Sequence, residues 1–316
     1  MPITLSAGRR IVAGLAGTAL ALTAAAPAVA APTADGAAAD ISVGRLVLEP
    51  TARGYQGSLP VTVTNNGPTA TYFAVDVLEP VAGSFRTADP LEGCVYQPLV
   101  DNRRLTNCMV PGGDIEPGQS RSFSVSFTVL TPTRDVAMIA KGGRVAVNVG
   151  DGREEIADRA GFAARFRSTT GSLRDPVPYV QDSQARASIS TAGAVTLARQ
   201  EDGAYLGRLP VTVGWAGDAG YDFLLAETVG LPAGVVIWGT DPQDLPGDLT
   251  NFVVPGGTLL AGEQQTFDVL FRAEADTVPG DLGTVTVQLS TRWADTTVPE
   301  ADPADNTASF TLTVAG

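Results

Sequence analysis

The sequence predicts an all-β protein, two tandem antiparallel β-sandwich domains behind a cleaved signal peptide. Three observations carry this. First, Leu105-Thr106-Asn107-Cys108-Met109-Val110-Pro111-Gly112-Gly113 returns as Leu249-Thr250-Asn251-Phe252-Val253-Val254-Pro255-Gly256-Gly257, an offset of 144 with seven of nine positions identical, which marks an internal duplication. Second, short runs alternate apolar and small or polar residues, and Phe123, Val125, Phe127 and Val129 interleaved with Ser122, Ser124, Ser126 and Thr128 are the clearest case. Third, Gly, Pro and Asn stand between these runs, and no stretch of the mature chain keeps a helical period for three turns.

Residues 1–30 read as a signal peptide. Arg9 and Arg10 form the positive end, residues 11–25 an apolar run, and Ala28-Val29-Ala30 a small-x-small cleavage site. The alternative, an uncleaved anchor, is disfavoured by Gly14, Gly17, Thr18, Thr23 and Pro27 within and beside the run. After cleavage no stable membrane insertion is expected, and the mature chain is expected to be exported, with the cell wall as a candidate place of attachment.

An Ala-, Pro- and Thr-rich spacer, 31–39, comes next. The first domain is expected over 40–167. It opens with strands around Ile41-Ser42-Val43 and Leu46-Val47-Leu48. Tyr55-Gln56-Gly57-Ser58-Leu59-Pro60-Val61-Thr62-Val63 then matches Tyr205-Leu206-Gly207-Arg208-Leu209-Pro210-Val211-Thr212-Val213. A proline shared inside this strand implies a position where no N–H is needed. A linker is expected at 168–184, around Gly171, Pro176 and Pro178, and the second domain at 185–316. Its strands carry Phe267, Val269 and Phe271, then Val285, Val287 and Leu289, then Phe310, Leu312 and Val314.

The net charge of −13 becomes −15 once Arg9 and Arg10 leave with the signal. Residues 31–183 hold 17 acids and 14 bases, whereas 184–316 hold 17 acids and 5 bases. Such a surface argues against nucleic acid as a partner. The bland reading of the charge is solubility.

Cys94 and Cys108 are the two cysteines. In an exported chain they are expected to form a disulfide. The alternative, a reactive thiol or metal site, lacks support from histidine, which the sequence does not contain. At the 144 offset Cys108 becomes Phe252 and Cys94 becomes Trp238, which suggests an aromatic pair in place of the covalent tie. The second correspondence depends on where a six-residue length difference falls.

The segments resemble the bacterial immunoglobulin-like conserved repeat of secreted and surface proteins, close to the cell-adhesion-related domain found in bacteria. Ala39-Asp40-Ile41-Ser42-Val43, Val63-Thr64-Asn65-Asn66-Gly67-Pro68, the two cysteines and Glu116-Pro117-Gly118-Gln119-Ser120 carry the likeness in the first copy. Leu231-Pro232-Ala233-Gly234-Val235 and the 305–314 segment carry it in the second. The resemblance implies immunoglobulin-like sandwiches serving as spacers, adhesive surfaces or accessory domains, and implies no catalytic residues.

No catalyst is expected. There is no histidine, no G-x-S-x-G elbow and no phosphate loop, and a Ser-Lys dyad would have to use Lys141, in a turn. Asp241, Asp244 and Asp248, or Glu300, Asp302 and Asp305, could pair carboxylates or offer oxygens to calcium, but solvated turn acids are the simpler reading and no D-x-D-x-D-G pattern is present. No cofactor and no metal are expected. Of the aromatics, Trp293, followed by Ala294 and Asp295, is the candidate for an exposed ligand face. The expected role is therefore a non-catalytic structural or adhesive one at the envelope or outside it, with a protein or polysaccharide partner. A polysaccharide- or cell-wall-binding module is the alternative.

Overall fold

A computed structural model describes residues 38–87, 92–150, 156–243 and 248–316. The signal peptide and nearly all of the spacer lie outside the described residues. The described chain is all-β, with one 3-10 turn at Pro303–Asn306, and forms one compact unit.

The first half contributes β1 (Ala39–Val43), β2 (Leu46–Thr51), β3 (Gly54–Asn65), β4 (Phe73–Leu78), β5 (Phe85–Thr87), β6 (Glu92–Val100), β7 (Arg103–Met109), β8 (Ser120–Val129), β9 (Met138–Val149), β10 (Ile156–Phe166) and β11 (Val177–Pro178). They join in the order β5-β8-β3-β2-β10-β9-β4-β7-β6, with β1 on β3 and β11 on β9. The second half contributes β12 (Ala187–Thr191), β13 (Ala194–Arg199), β14 (Tyr205–Trp215), β15 (Phe223–Val229), β16 (Val235–Asp241), β17 (Asn251–Val253), β18 (Gln264–Ala273), β19 (Gly280–Trp293), β20 (Thr296–Val298) and β21 (Thr307–Val314). Their order is β16-β18-β14-β13-β21-β19-β15-β17.

The duplication extends to register. Tyr55 pairs with Val129 and Pro60 with Ser124, and Tyr205 pairs with Ala273 and Pro210 with Asp268 at the matching positions. In each half the apolar side of the strands faces inward. Leu59, Val61, Phe123, Val125 and Phe127 enclose the first core together with Val75, Val77 and Val145. Leu209, Val211, Val269, Phe271, Val287 and Phe310 do the same in the second. Burying each such side chain is worth about 1.5–3 kcal/mol. The outward positions form hydroxyl ladders instead, such as Thr62 with Ser122 and Thr64 with Ser120, both at 2.8 Å.

The repeated Tyr-x-Gly-x-Leu-Pro-Val-Thr-Val stretch marks a crossover. β1 pairs with β3 only through Val61–Asn65 and β2 only through Gly54–Gln56. In the gap between, the chain passes into β2, whose Leu46–Leu48 portion pairs in parallel with β10. Pro60 sits at this gap, its carbonyl accepting from Gly44 N at 2.7 Å. In extended chain a residue's N–H and C=O share a side, so the absent proline N–H would have pointed into the crossover, where no ladder asks for it. Gly57 is required because a Cβ there would meet Val47 O at 2.0 Å, and one at Gly207 would meet the Leu197 side chain at 2.5 Å.

The Pro-Gly-Gly end of the 105–113 motif carries the chain from one layer to the other, because β7 lies beside β4 whereas β8 lies beside β3. Its glycines take the left-handed conformation in both copies, φ +82° and +72° at Gly112 and Gly113, +87° and +76° at Gly256 and Gly257. Segment 168–184 is not a free linker, since Val177–Pro178 pairs with Met138–Ile139 and Tyr179 packs into the first core. Trp238 and Phe252 do not pair. Trp238 is exposed on β16, an edge strand beside β18, while Phe252 is buried on β17 against Phe267.

Candidate functional site

The strongest concentration of buried polar groups lies where the first half meets the second. It begins with the hairpin of β6 and β7, closed by Asp101 and Asn102, both with positive φ (51° and 59°), the backbone that a two-residue turn between twisted strands demands. Asn102 O accepts the indole N–H of Trp293 at 3.2 Å. One residue past the turn strand begins, and Arg104 is buried, its Nη2 donating to both carboxylate oxygens of Asp222, at 2.7 and 2.8 Å. The guanidinium lies between two rings, 4.1 Å from the centroid of Tyr96 and 4.4 Å from that of Trp293. Cation–π attraction of this kind is strengthened by desolvation.

A second charged group holds Arg104 in place. Glu79, fully buried, accepts from Arg104 N at 2.7 Å and Gly83 N at 2.9 Å through one oxygen, and from Phe85 N at 3.0 Å through the other. Burial pushes its carboxyl above the ordinary glutamate value, against those three N–H donors and the nearby Arg104 charge, which pull it down. The turn Glu79 organises presents Ala82 to the second half, where Gln181 bonds both the N–H and the C=O of Ala82. Approach is close enough that a Cβ on Gly220 would lie 2.7 Å from Ala82 O.

Asp218 extends the seam. It accepts from Thr131 Oγ1 at 2.8 Å, Tyr179 OH at 2.9 Å and Asp182 N at 2.9 Å. Burial and the Asp218 charge together raise the Tyr179 phenol well above its usual range, so it stays a hydrogen-bond donor. Arg53 completes the seam with a forked bond to Glu263 and one to Thr258 O. Beside Arg104 opens a cleft of about 680 Å³, with Tyr96, Leu99, Arg104, Asp222, Asp295 and Thr296 among its walls.

Trp293, the expected ligand face, requires correction. It is 1% exposed, because the β6–β7 hairpin covers it. The exposed tryptophan is Trp238, under the guanidinium of Arg272 at 4.6 Å. Cys94 and Cys108 form the expected disulfide, Cα atoms 4.1 Å apart, tying exposed β6 to buried β7. The acidic turns are taken up by the fold: Asp241 pairs with Arg208, Asp248 accepts from Thr250 N, Glu300 from Thr291 Oγ1 and Asp302 from Ala304 N. Asp244 lies outside the described residues. The described residues bring no three His, Cys, Asp or Glu together as a metal site.

Sequence reasoning missed Arg104, Asp222, Glu79 and Tyr96. The signal that could have found the first was the repeat itself: at the 144 offset Arg104 faces Asp248, and at the 150 offset Glu79 faces Val229. A charge reversed between the copies, as at Arg104, or present in one alone, as at Glu79, falls where the copies differ in role.

No protein-family model matches the chain, and no curated protein matches it. Solved structures to which the chain is similar include a Porphyromonas gingivalis W83 protein of unknown function, 9% identical, covering 88% of this chain and 100% of that one at a TM-score of 0.22. The CARDB domain of a Pyrococcus furiosus protein, solved with di-metal ions, is 12% identical and covers 43% of this chain and 93% of its own at 0.23. The YadV chaperone is 12% identical, with coverages of 83% and 96%, at 0.23. Likenesses of this depth identify neither a family nor an activity.

Proposed function

We propose that the chain is an exported, non-catalytic structural or adhesive protein of the bacterial cell envelope or extracellular space, built from two tandem immunoglobulin-like β-sandwiches. The observation that carries this reading is the Arg104–Asp222 pair, enclosed by Tyr96 and Trp293. It joins the halves through buried, directional bonds, which suits a spacer that must hold a fixed geometry. A disulfide and a signal-like leader support the location. The partner is an envelope or extracellular protein or polysaccharide.

The test is made in the bacterium that encodes the chain, with an antibody against residues 40–316 and a deletion strain. The expected result is a chain beginning at Ala31 in the envelope or medium fraction, and weaker surface attachment of the deletion strain. A chain that keeps residues 1–30 and stays in the cytosol overturns the reading.

A further inference from the structure

The first half has one strand more at this end than the second. In the first, β7 is followed outward by β6. In the second, β17, the counterpart of β7, ends the order among the described residues. β6 builds one wall of the cleft beside the junction, and its residues there include Tyr96, 58% exposed, Gln97, Pro98 and Leu99. An added edge strand that leaves a tyrosine largely in solvent has no need of it for the core, which Cys108 and Val110 already reach from β7 and the turn after it.

We propose that this cleft binds a neutral polysaccharide chain, with Tyr96 as the platform on which a sugar ring stacks. The charges point to a neutral ligand. The Arg104 guanidinium in the floor is already matched by both oxygens of Asp222, and Asp295 adds a further acid on the rim, so the walls offer no unmatched cation to a phosphate or carboxylate. The available groups suit a polyol instead. The Arg104 guanidinium covers one face of Tyr96, and the ring, still 58% exposed, offers its remaining apolar surface and polar tip to the C–H face of a pyranose. Asp295 can accept hydroxyl hydrogens. Gln97 and Thr296 add polar side chains to the lining. At about 680 Å³ the space lies inside the range of about 300–1,000 Å³ common for small-ligand sites.

Affinity electrophoresis of the chain from Ala31 to Gly316 through gels containing hydroxyethylcellulose, galactomannan or glycol chitin tests this. At least one polymer is expected to retard the protein. Tyr96→Ala should weaken that retardation by at least about tenfold, a loss of about 1.4 kcal/mol, while Tyr96→Phe and the distant Trp238→Ala retain it. Should Tyr96→Ala fail to fold, Asp295→Ala, on an exposed residue, replaces it with the same expected weakening. Mobility unchanged by all three polymers overturns the proposal, as does full retardation of the cleft variant or loss in Trp238→Ala. The inference rests on the extracellular reading only for access to such a polymer. A cytosolic chain that binds would sink that reading alone, and an exported chain that binds nothing would sink this one.

Discussion

Arg104 places one terminal nitrogen 2.7 and 2.8 Å from the two carboxylate oxygens of Asp222, a residue 118 positions away in the other half of the molecule. The carboxylate serves the second half as well, accepting from Ala294 N at 2.9 Å beside Trp293. One ion pair thus fixes the hairpin of the first half and the end of β19 in the second. Because Arg104 is buried while the Asp222 side chain keeps 28% of its exposure, the cost of desolvation falls mainly on the cation, and the two flanking rings offset part of it.

Removing that cation should loosen the junction before either core. Arg104→Ala leaves Asp222 without its partner and Tyr96 and Trp293 facing a void. The expected loss is about 2–3 kcal/mol, below the full value for a completely buried pair because Asp222 reaches water. Guanidinium unfolding followed by tryptophan fluorescence, to which Trp293 contributes, checks it. The variant should also split one transition into two, as each half unfolds by itself. A single transition at the wild-type midpoint would show the pair to be ornamental.

Glu79 makes a pH prediction whose sign follows from burial. Its native carboxyl sits above the ordinary value of 4.5, so the folded state holds the proton more tightly than the unfolded one. The stabilisation from this group is complete below that unfolded value and is lost as pH rises through the raised native one. Glu79→Gln, permanently neutral, should therefore gain on the wild type in Tm as pH increases from about 4 toward neutrality. A Tm difference that stays flat across this interval refutes the argument. Glu79→Ala should be destabilised at every pH by about 3 kcal/mol, since two buried N–H groups, of Phe85 and Arg104, lose their acceptor at about 1–3 kcal/mol each and the part-buried Gly83 N–H loses its own.

These contrasts explain what the sequence made legible. The run from Phe123 to Val129 could be assigned because period two reports burial directly, and each apolar residue in it is indeed buried. The duplicated proline and glycine of β3 and β14 were visible as a pattern, although their reason, a chain crossing over them, is a contact with residues about ten to sixteen positions upstream, Val47 at Gly57, Leu197 at Gly207 and Gly44 at Pro60. Trp293 was misread because its cover is supplied by Asn102 and Arg104, about 190 residues earlier. Arg104 was missed for the same reason, since alternation says which way a side chain points and not what meets it there. Trp238 failed as a partner for Phe252 because the length difference falls between β4 and β7, where the first half has β5 and β6 and the second has β16 among its described strands.

The crossover glycines offer a graded test. Gly57→Ala forces a methyl against Val47 O, a backbone atom that cannot swing aside, whereas Gly207→Ala first meets side-chain carbons of Leu197 and Val195. Overpacking costs about 1–3 kcal/mol and more where backbone must move. Gly57→Ala is expected at or above the upper end and Gly207→Ala near the lower. Gly161→Ala, whose Cβ would find its nearest neighbour at 3.9 Å, is the control and should stay close to wild type in urea unfolding. Equal losses at 57 and 161 would remove the crossover explanation.

The disulfide joins an exposed position to a buried one, and its two ends should respond differently. Its sequence separation of 14 closes a loop for which the chain-entropy model gives about 3 kcal/mol. Cys94→Ser should lose about that amount and little else, because Cys94 lies in solvent on β6. Cys108→Ser should lose more, since its hydroxyl would be buried in the first core beside Val75 and Val110, adding about 1–3 kcal/mol for an unsatisfied polar group. Cys108→Ala avoids the hydroxyl and should fall between the two. Because β6 carries Tyr96, loss of the tie should also relax the ring from Arg104, read as altered tryptophan emission in Cys94→Ser under native conditions. Midpoints in the order Cys94→Ser, Cys108→Ala, Cys108→Ser, from most to least stable, are the expected outcome. A Cys108→Ser midpoint at or above that of Cys94→Ser would mean that the buried end of the bridge is not packed as the fold requires.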